Sequence, residues 1–127
     1  MPVDLAKAEV LGMNYDQLLK TAYTALFETK GEDLVILDLQ ALTVITDYFV
    51  VATGRNPNHL KALADTIQEK LTAQGLTPSR KEGDEKTRWI LLDYGFMVIH
   101  LMGLAERELY RLEELWHGAK RLTPTIA

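Results

Sequence analysis

Apolar positions recur at helical spacing near the start of the chain. Tyr15, Leu18, Leu19, Ala22 and Leu26 fall at i, i+3, i+4, i+7 and i+11, a stripe that predicts an amphipathic helix. Asn14 stands at the N-cap, Gln17 follows three residues on, and Gly31 is placed to take the left-handed position that ends the helix. Two short apolar runs follow, Leu34–Leu39 and Tyr48–Thr53. Their apolar residues are adjacent rather than alternating, which predicts strands covered on both faces. Beyond Gly54, Asn56 and Pro57 supply an N-cap and an N1 proline, and Leu60, Leu63, Ala64, Ile67 and Leu71 repeat the helical stripe as far as Gly75. Thr77–Glu82 reads as a weak strand. Trp89–Asp93 and Phe96–Met102 read as strong ones, joined through Tyr94-Gly95 in a span that forces an antiparallel hairpin. A last row, Ala105, Leu109, Leu112 and Trp116, with charged residues on its other side, predicts one closing helix.

The order α-β-β-α-β-β-β-α, with one helical crossover and one hairpin, predicts an α/β (α+β) fold: a mixed sheet of about five strands with flanking helices. At 127 residues the chain has the size of one domain, with an ordered core over about residues 15–117 and frayed ends at the first residues and at Leu122–Ala127. Fourteen Lys+Arg against eighteen Asp+Glu give a net charge of −4, so no overall field draws the chain onto a polyanion, and direct nucleic-acid contact is expected to be small. Zero cysteines exclude disulfides, thiol catalysis, Fe–S clusters and the usual structural zinc sites. The first residues carry acids and lack the apolar run of a signal peptide. No stretch approaches the 18 or so apolar residues that span a bilayer. A cytoplasmic protein without a membrane partner is expected.

Few residues offer chemistry. Thr53-Gly54-Arg55-Asn56 sits at a strand-to-helix junction, where free N–H groups favour an anion. It has one glycine and matches neither the P-loop nor the dinucleotide pattern, so it reads as a helix-start turn. Nucleotidyl transfer needs two carboxylates alternating on a strand to hold Mg²⁺. Thr77–Lys81 has none, and Asp93 stands alone. His59, His100 and His117 show no metal-ligand spacing. His100, among Val98, Ile99, Leu101 and Met102, reads as a semi-buried strand histidine rather than a general base. Ser79 is the single serine and lacks a nucleophile elbow. No catalytic residue, metal or cofactor is expected. Trp89, Tyr94, Phe96, Tyr110 and Trp116 concentrate in the final third, which suits either a core or a protein-docking face that also bears Arg107. Strand alternation puts Trp89, Leu91 and Asp93 on one face and Ile90, Leu92 and Tyr94 on the other. The second set is the better core, because Asp93 resists burial without a partner.

Asp47-Tyr-Phe-Val-Val-Ala-Thr-Gly54, His59, Ala64-Asp65, Glu82-Gly83, Trp89-Ile-Leu-Leu-Asp93-Tyr-Gly95, His100, Arg107 and Tyr110-Arg-Leu-Glu-Glu-Leu-Trp116, in this order over residues 15–117, closely resemble the ribosomal silencing factor (Iojap-like) family. The resemblance implies a nucleotidyltransferase-like fold without catalytic acids, and an activity of binding rather than catalysis. It implies docking on the large ribosomal subunit, through its fourteenth ribosomal protein at the intersubunit face. Small-subunit joining is thereby blocked and translation damped when nutrients are scarce. Carried over by position, the contact is the exposed edge of the Trp89–Asp93 strand, with Trp89 and Ile90 as apolar anchors and Asp93 and Arg107 as polar partners or supports. On this reading Trp89→Ala removes docking and leaves the fold largely intact. Gly54, Gly83 and Gly95 read as backbone-geometry positions. The family often has serine at the position of Asn56 and aspartate at that of Phe96. The phenyl ring near the docking face would then pack in a homodimer, enlarge the apolar contact, or reflect a co-adapted partner. The alternative is a nucleotide-binding enzyme retaining a reduced nucleotidyltransferase-like site near Gly54.

Overall fold

The computed structural model describes residues 14–124; the expectations for the first thirteen residues and for residues 125–127 lie outside them. Helix α1 (Tyr15–Glu28) starts where the sequence predicts, with Asn14 Oδ1 accepting the Gln17 N–H at 3.1 Å, and it buries Leu18, Leu19, Ala22, Ala25 and Leu26. Its end differs from the expectation. Lys30, not Gly31, takes the left-handed backbone (φ 64), and the Gly31 N–H closes back on the Leu26 carbonyl at 2.8 Å, as in a Schellman cap. Glycine is wanted at 31 for space: a Cβ there would lie 3.1 to 3.3 Å from Leu34, the Leu26 carbonyl and Leu63.

Strands β1 (Glu32–Asp38) and β2 (Tyr48–Thr53) follow, then α2 (Pro57–Thr72), β3 (Arg80–Glu82), β4 (Trp89–Asp93) and β5 (Met97–Met102). Asn56 caps α2, accepting the His59 N–H at 2.8 Å. Short helices α3 (Leu104–Tyr110) and α4 (Leu112–Leu115) and a last strand, β6 (Lys120–Leu122), complete the path. The sheet order is β3-β4-β5-β2-β1-β6. Only β2 and β5 run parallel, since α2 and the β4–β5 hairpin lie between them, and the other described pairs are antiparallel. The fold is therefore the expected mixed sheet with flanking helices, with six strands rather than about five. The extra strand lies beyond residue 117, in a stretch whose end was expected to be frayed; Asp38, Leu37 and Ile36 of β1 pair with Lys120, Arg121 and Leu122.

The single closing helix of the sequence reading is broken. Arg111 adopts φ 47 and ψ 57 between α3 and α4, so the predicted row does not reach a common core: Leu112 is buried while Leu109 is 74% exposed. The two faces of the sheet are covered unequally. Under α1 and α2 lies the main core, including Ile36, Val50, Leu63, Ile67, Leu92 and Ile99. The opposite face holds a small cluster of Val51, Met102 and Leu112, flanked by partly buried Phe49 and Trp89. Phe96 belongs to the main core. It is 1% exposed and stacks on Tyr15, ring centroids 4.0 Å apart at 7°, which corrects the expectation that it lies near a docking face.

Candidate protein-docking face

Strand β4 alternates as its sequence predicts. Ile90 and Leu92 point into the main core, and Trp89, Leu91 and Asp93 are partly buried on the other face. Two expectations carried by the resemblance are corrected by this. Ile90 is 2% exposed, so the pleat that presents Trp89 withdraws Ile90 from any surface. Nor is β4 an edge, because β3 pairs along its outer side through Arg80–Asp93, Lys81–Leu92 and Glu82–Leu91; the exposed edge belongs to Arg80–Glu82. Gly83 makes that pairing possible. Its φ is 76, and a Cβ there would run into the Trp89 carbonyl oxygen.

Trp89 Nε1 donates to His100 Nδ1 at 3.1 Å, and its ring lies 4.6 Å from that of Tyr110. His100 is 4% exposed, and burial pushes its pKa down to about 4, so the imidazole is neutral near pH 7. With Nδ1 accepting from the indole, the proton sits on Nε2. Phe49 meets His100 edge-on at 4.5 Å and Trp116 at 6.0 Å. An aromatic row, Trp116–Phe49–His100–Trp89–Tyr110, thus crosses the second face.

Asp93 serves the hairpin: Oδ1 accepts the Gly95 N–H at 2.8 Å, and Oδ2 lies 3.7 Å from Arg80. Arg107 is a support rather than a surface contact. It is 8% exposed and donates inward to Thr53 Oγ1 at 2.9 Å, to the Asp33 carbonyl at 2.7 Å and to the Glu113 carboxylate at 3.0 to 3.2 Å. Glu113 is pushed up by its own burial, but hydrogen bonding and charge from Arg107 more than offset this, and its pKa is lowered. The pair latches α3 and α4 onto the sheet. What that segment presents outward is apolar: Leu104, Leu109, Tyr110 and Leu115 are 51 to 74% exposed. The loop after β1 adds Val44 and Ile45, at 75 and 76%. Sequence reasoning missed these loop residues. Their one signal was a run of apolar residues in a segment that is neither strand nor helix.

The Gly54 junction is satisfied from within. The Arg55 N–H donates to His59 Nδ1 at 2.9 Å, His59 Nε2 bonds the Thr29 carbonyl at 2.8 Å, and the Arg55 side chain lies 3.8 Å from Glu32. Gly54 itself is pressed against Leu60. Among the described residues no three His, Cys, Asp or Glu side chains gather as metal ligands, and no helix is long and apolar enough to cross a membrane.

A family model described as "Ribosomal silencing factor during starvation" matches residues 13–126. The chain belongs to the ribosomal silencing factor family. It is 39% identical over 108 residues to the ribosomal silencing factor RsfS of Chromobacterium violaceum, covering 85% of this chain and 88% of that one. The Bacillus subtilis RsfS is 33% identical over 107 residues, 84% of this chain and 91% of that one. The mouse mitochondrial assembly of ribosomal large subunit protein 1 is 30% identical over 86% of this chain and 48% of its own length. A crystal structure of a Chromobacterium violaceum protein superposes with a TM-score of 0.79 at 37% identity, covering 91% of this chain and 93% of that one. The silencing-factor match runs past residue 117 and takes in β6, the strand that the sequence reading lacked.

Proposed function

We propose that this silencing factor acts by docking and not by catalysis. It binds the large ribosomal subunit in the cytoplasm, through the fourteenth ribosomal protein at the intersubunit face, and so blocks joining of the small subunit. The observation that carries the reading is the partly covered second face of the sheet. Tyr110 and Leu109 stand exposed there on a helix latched by a buried ion pair, with Trp89 packed behind Tyr110. A contiguous apolar patch with an aromatic anchor and a charged rim is what protein interfaces use. The same patch in two copies would serve a homodimer, which competes with docking.

Co-sedimentation with purified large and small subunits tests this. The chain should pellet with large subunits only, and raising salt from 50 to 200 mM should weaken binding far less than the roughly 10³–10⁵-fold loss of a protein making six to ten phosphate contacts. Tyr110→Ala should weaken docking about 30- to 1,000-fold, the loss of an interface hot spot of about 2–4 kcal/mol. Pelleting with small subunits alone, or wild-type affinity in a folded Tyr110→Ala, Leu109→Ala double variant, refutes it.

A further inference from the structure

On the second face, between the loop after β1 and the β4–β5 strands, a cavity of about 350 Å³ is walled by Ile45, Phe49, Leu91, Val98 and Trp116, with His100 among its lining residues. Its size lies at the lower end of small-molecule sites, with room for about one ring system. His100 supplies the polar group. Trp89 holds Nδ1, and Trp89 lies across from Met102, toward the end of β5, whereas the cavity residues Leu91 and Val98 lie across from His100 or before it. The ring edge bearing Nε2 is therefore turned to the cavity side. That nitrogen is buried and has no hydrogen-bond partner in the structure, and a buried N–H left unpaired is costly enough that native proteins rarely keep one.

The walls define the rest of the ligand. Phe49, Trp116 and the imidazole favour ring contacts in offset or edge-on geometry. The two charged residues at the cavity, Arg80 and Asp93, lie 3.7 Å from each other, so neither sign of ligand charge is asked for. We propose that this recess binds a small uncharged aromatic molecule whose carbonyl oxygen accepts the Nε2–H of His100. The site stands independently of the docking reading.

Acetophenone and isopropylbenzene, nearly the same shape with and without the acceptor, are the probes. Each is titrated at matched concentrations into the full chain, followed by the side-chain nitrogen resonances of His100 and by tryptophan fluorescence. Acetophenone should shift Nε2 saturably and bind about ten-fold or more tightly than isopropylbenzene, and His100→Phe should abolish that preference. Equal binding of the two probes makes the recess merely apolar and overturns the proposal. So does the absence of any saturable shift, which leaves the recess to water. The two-probe comparison on the unaltered chain decides the matter even if His100→Phe fails to fold.

Discussion

Arg107→Ala should cost about 3–5 kcal/mol of folding stability, the usual loss when one partner of a buried ion pair is removed. The guanidinium satisfies three separate pieces of the chain: the Thr53 hydroxyl at the end of β2, the Asp33 carbonyl in β1, and Glu113 in α4. Without it the Glu113 side chain, 20% exposed, has lost its counter-charge, and the Asp33 carbonyl has lost its donor. Each orphaned buried group costs about 1–3 kcal/mol, and the losses overlap because one cation serves them all. Against a total of about 5–15 kcal/mol for a domain, the variant is folded but marginal. Urea unfolding, with a slope of about 2 kcal/mol per molar, should show the midpoint falling by roughly 2 M. Arg107→Lys should recover only part of this, since an ammonium cannot reproduce the planar fork. A double variant, Arg107→Met with Glu113→Leu, should recover more than half. The pH dependence has a definite sign. Glu113 has a lowered folded pKa, so its contribution is complete above the ordinary glutamate range and is lost as pH falls through the folded value, below about 4.5. A loss under about 1 kcal/mol in Arg107→Ala would mean that α3 and α4 are not latched by this residue. Normal stability with impaired docking would move Arg107 from support to partner contact.

His100, whose pKa burial lowers from 6.5 to about 4, binds a proton in the unfolded chain before it does so in the folded one. Stability should therefore rise with pH between about 4 and 6.5, by about 3 kcal/mol in all, and His100→Phe should flatten that slope in urea midpoints measured from pH 4.5 to 7. Phe96→Ala should cost about 3–5 kcal/mol and lower the melting temperature; a neutral effect on stability with loss of self-association would put the ring in an interface instead. Trp89→Ala should lose both stability, about 2–3 kcal/mol from packing and the orphaned His100 acceptor, and docking, whereas Trp89→Phe should restore packing without the hydrogen bond. Unchanged stability in Trp89→Ala would restore the expectation that this ring serves docking alone.

Local rules were legible in the sequence, and relations between distant segments were not. Asn14 and Asn56 announce their helices because a cap acts within three residues, and the Trp89–Asp93 pleat follows from alternation alone. Alternation and family resemblance disagreed over Ile90, and the pleat was the sounder guide, since a strand cannot turn two adjacent side chains to the same face. Arg111 escaped notice because the apolar period continues through it. The left-handed residue there is tolerated in a structure where Glu113 meets Arg107, a contact no periodicity contains. The Arg80–Glu82 and Lys120–Leu122 strands are three residues each, too short and too polar for a period to register, yet they cover the two outer strands of the sheet.

That arrangement decides where a partner meets this protein. Both long helices pack on one face, where their stripes complete the main core. The opposite face receives only the short α3 and α4, whose hold on the sheet depends on a single buried arginine and its carboxylate. A long continuous helix would have buried the aromatic row; the break at Arg111 instead leaves Tyr110 and Leu109 outside and Trp89 and His100 half-sheltered behind them. The apolar residues of this surface are thus fixed in place by the fold without being needed for its main core, and for that reason a substitution at Tyr110 or Leu109 can separate docking from stability while one at Trp89 or Arg107 cannot.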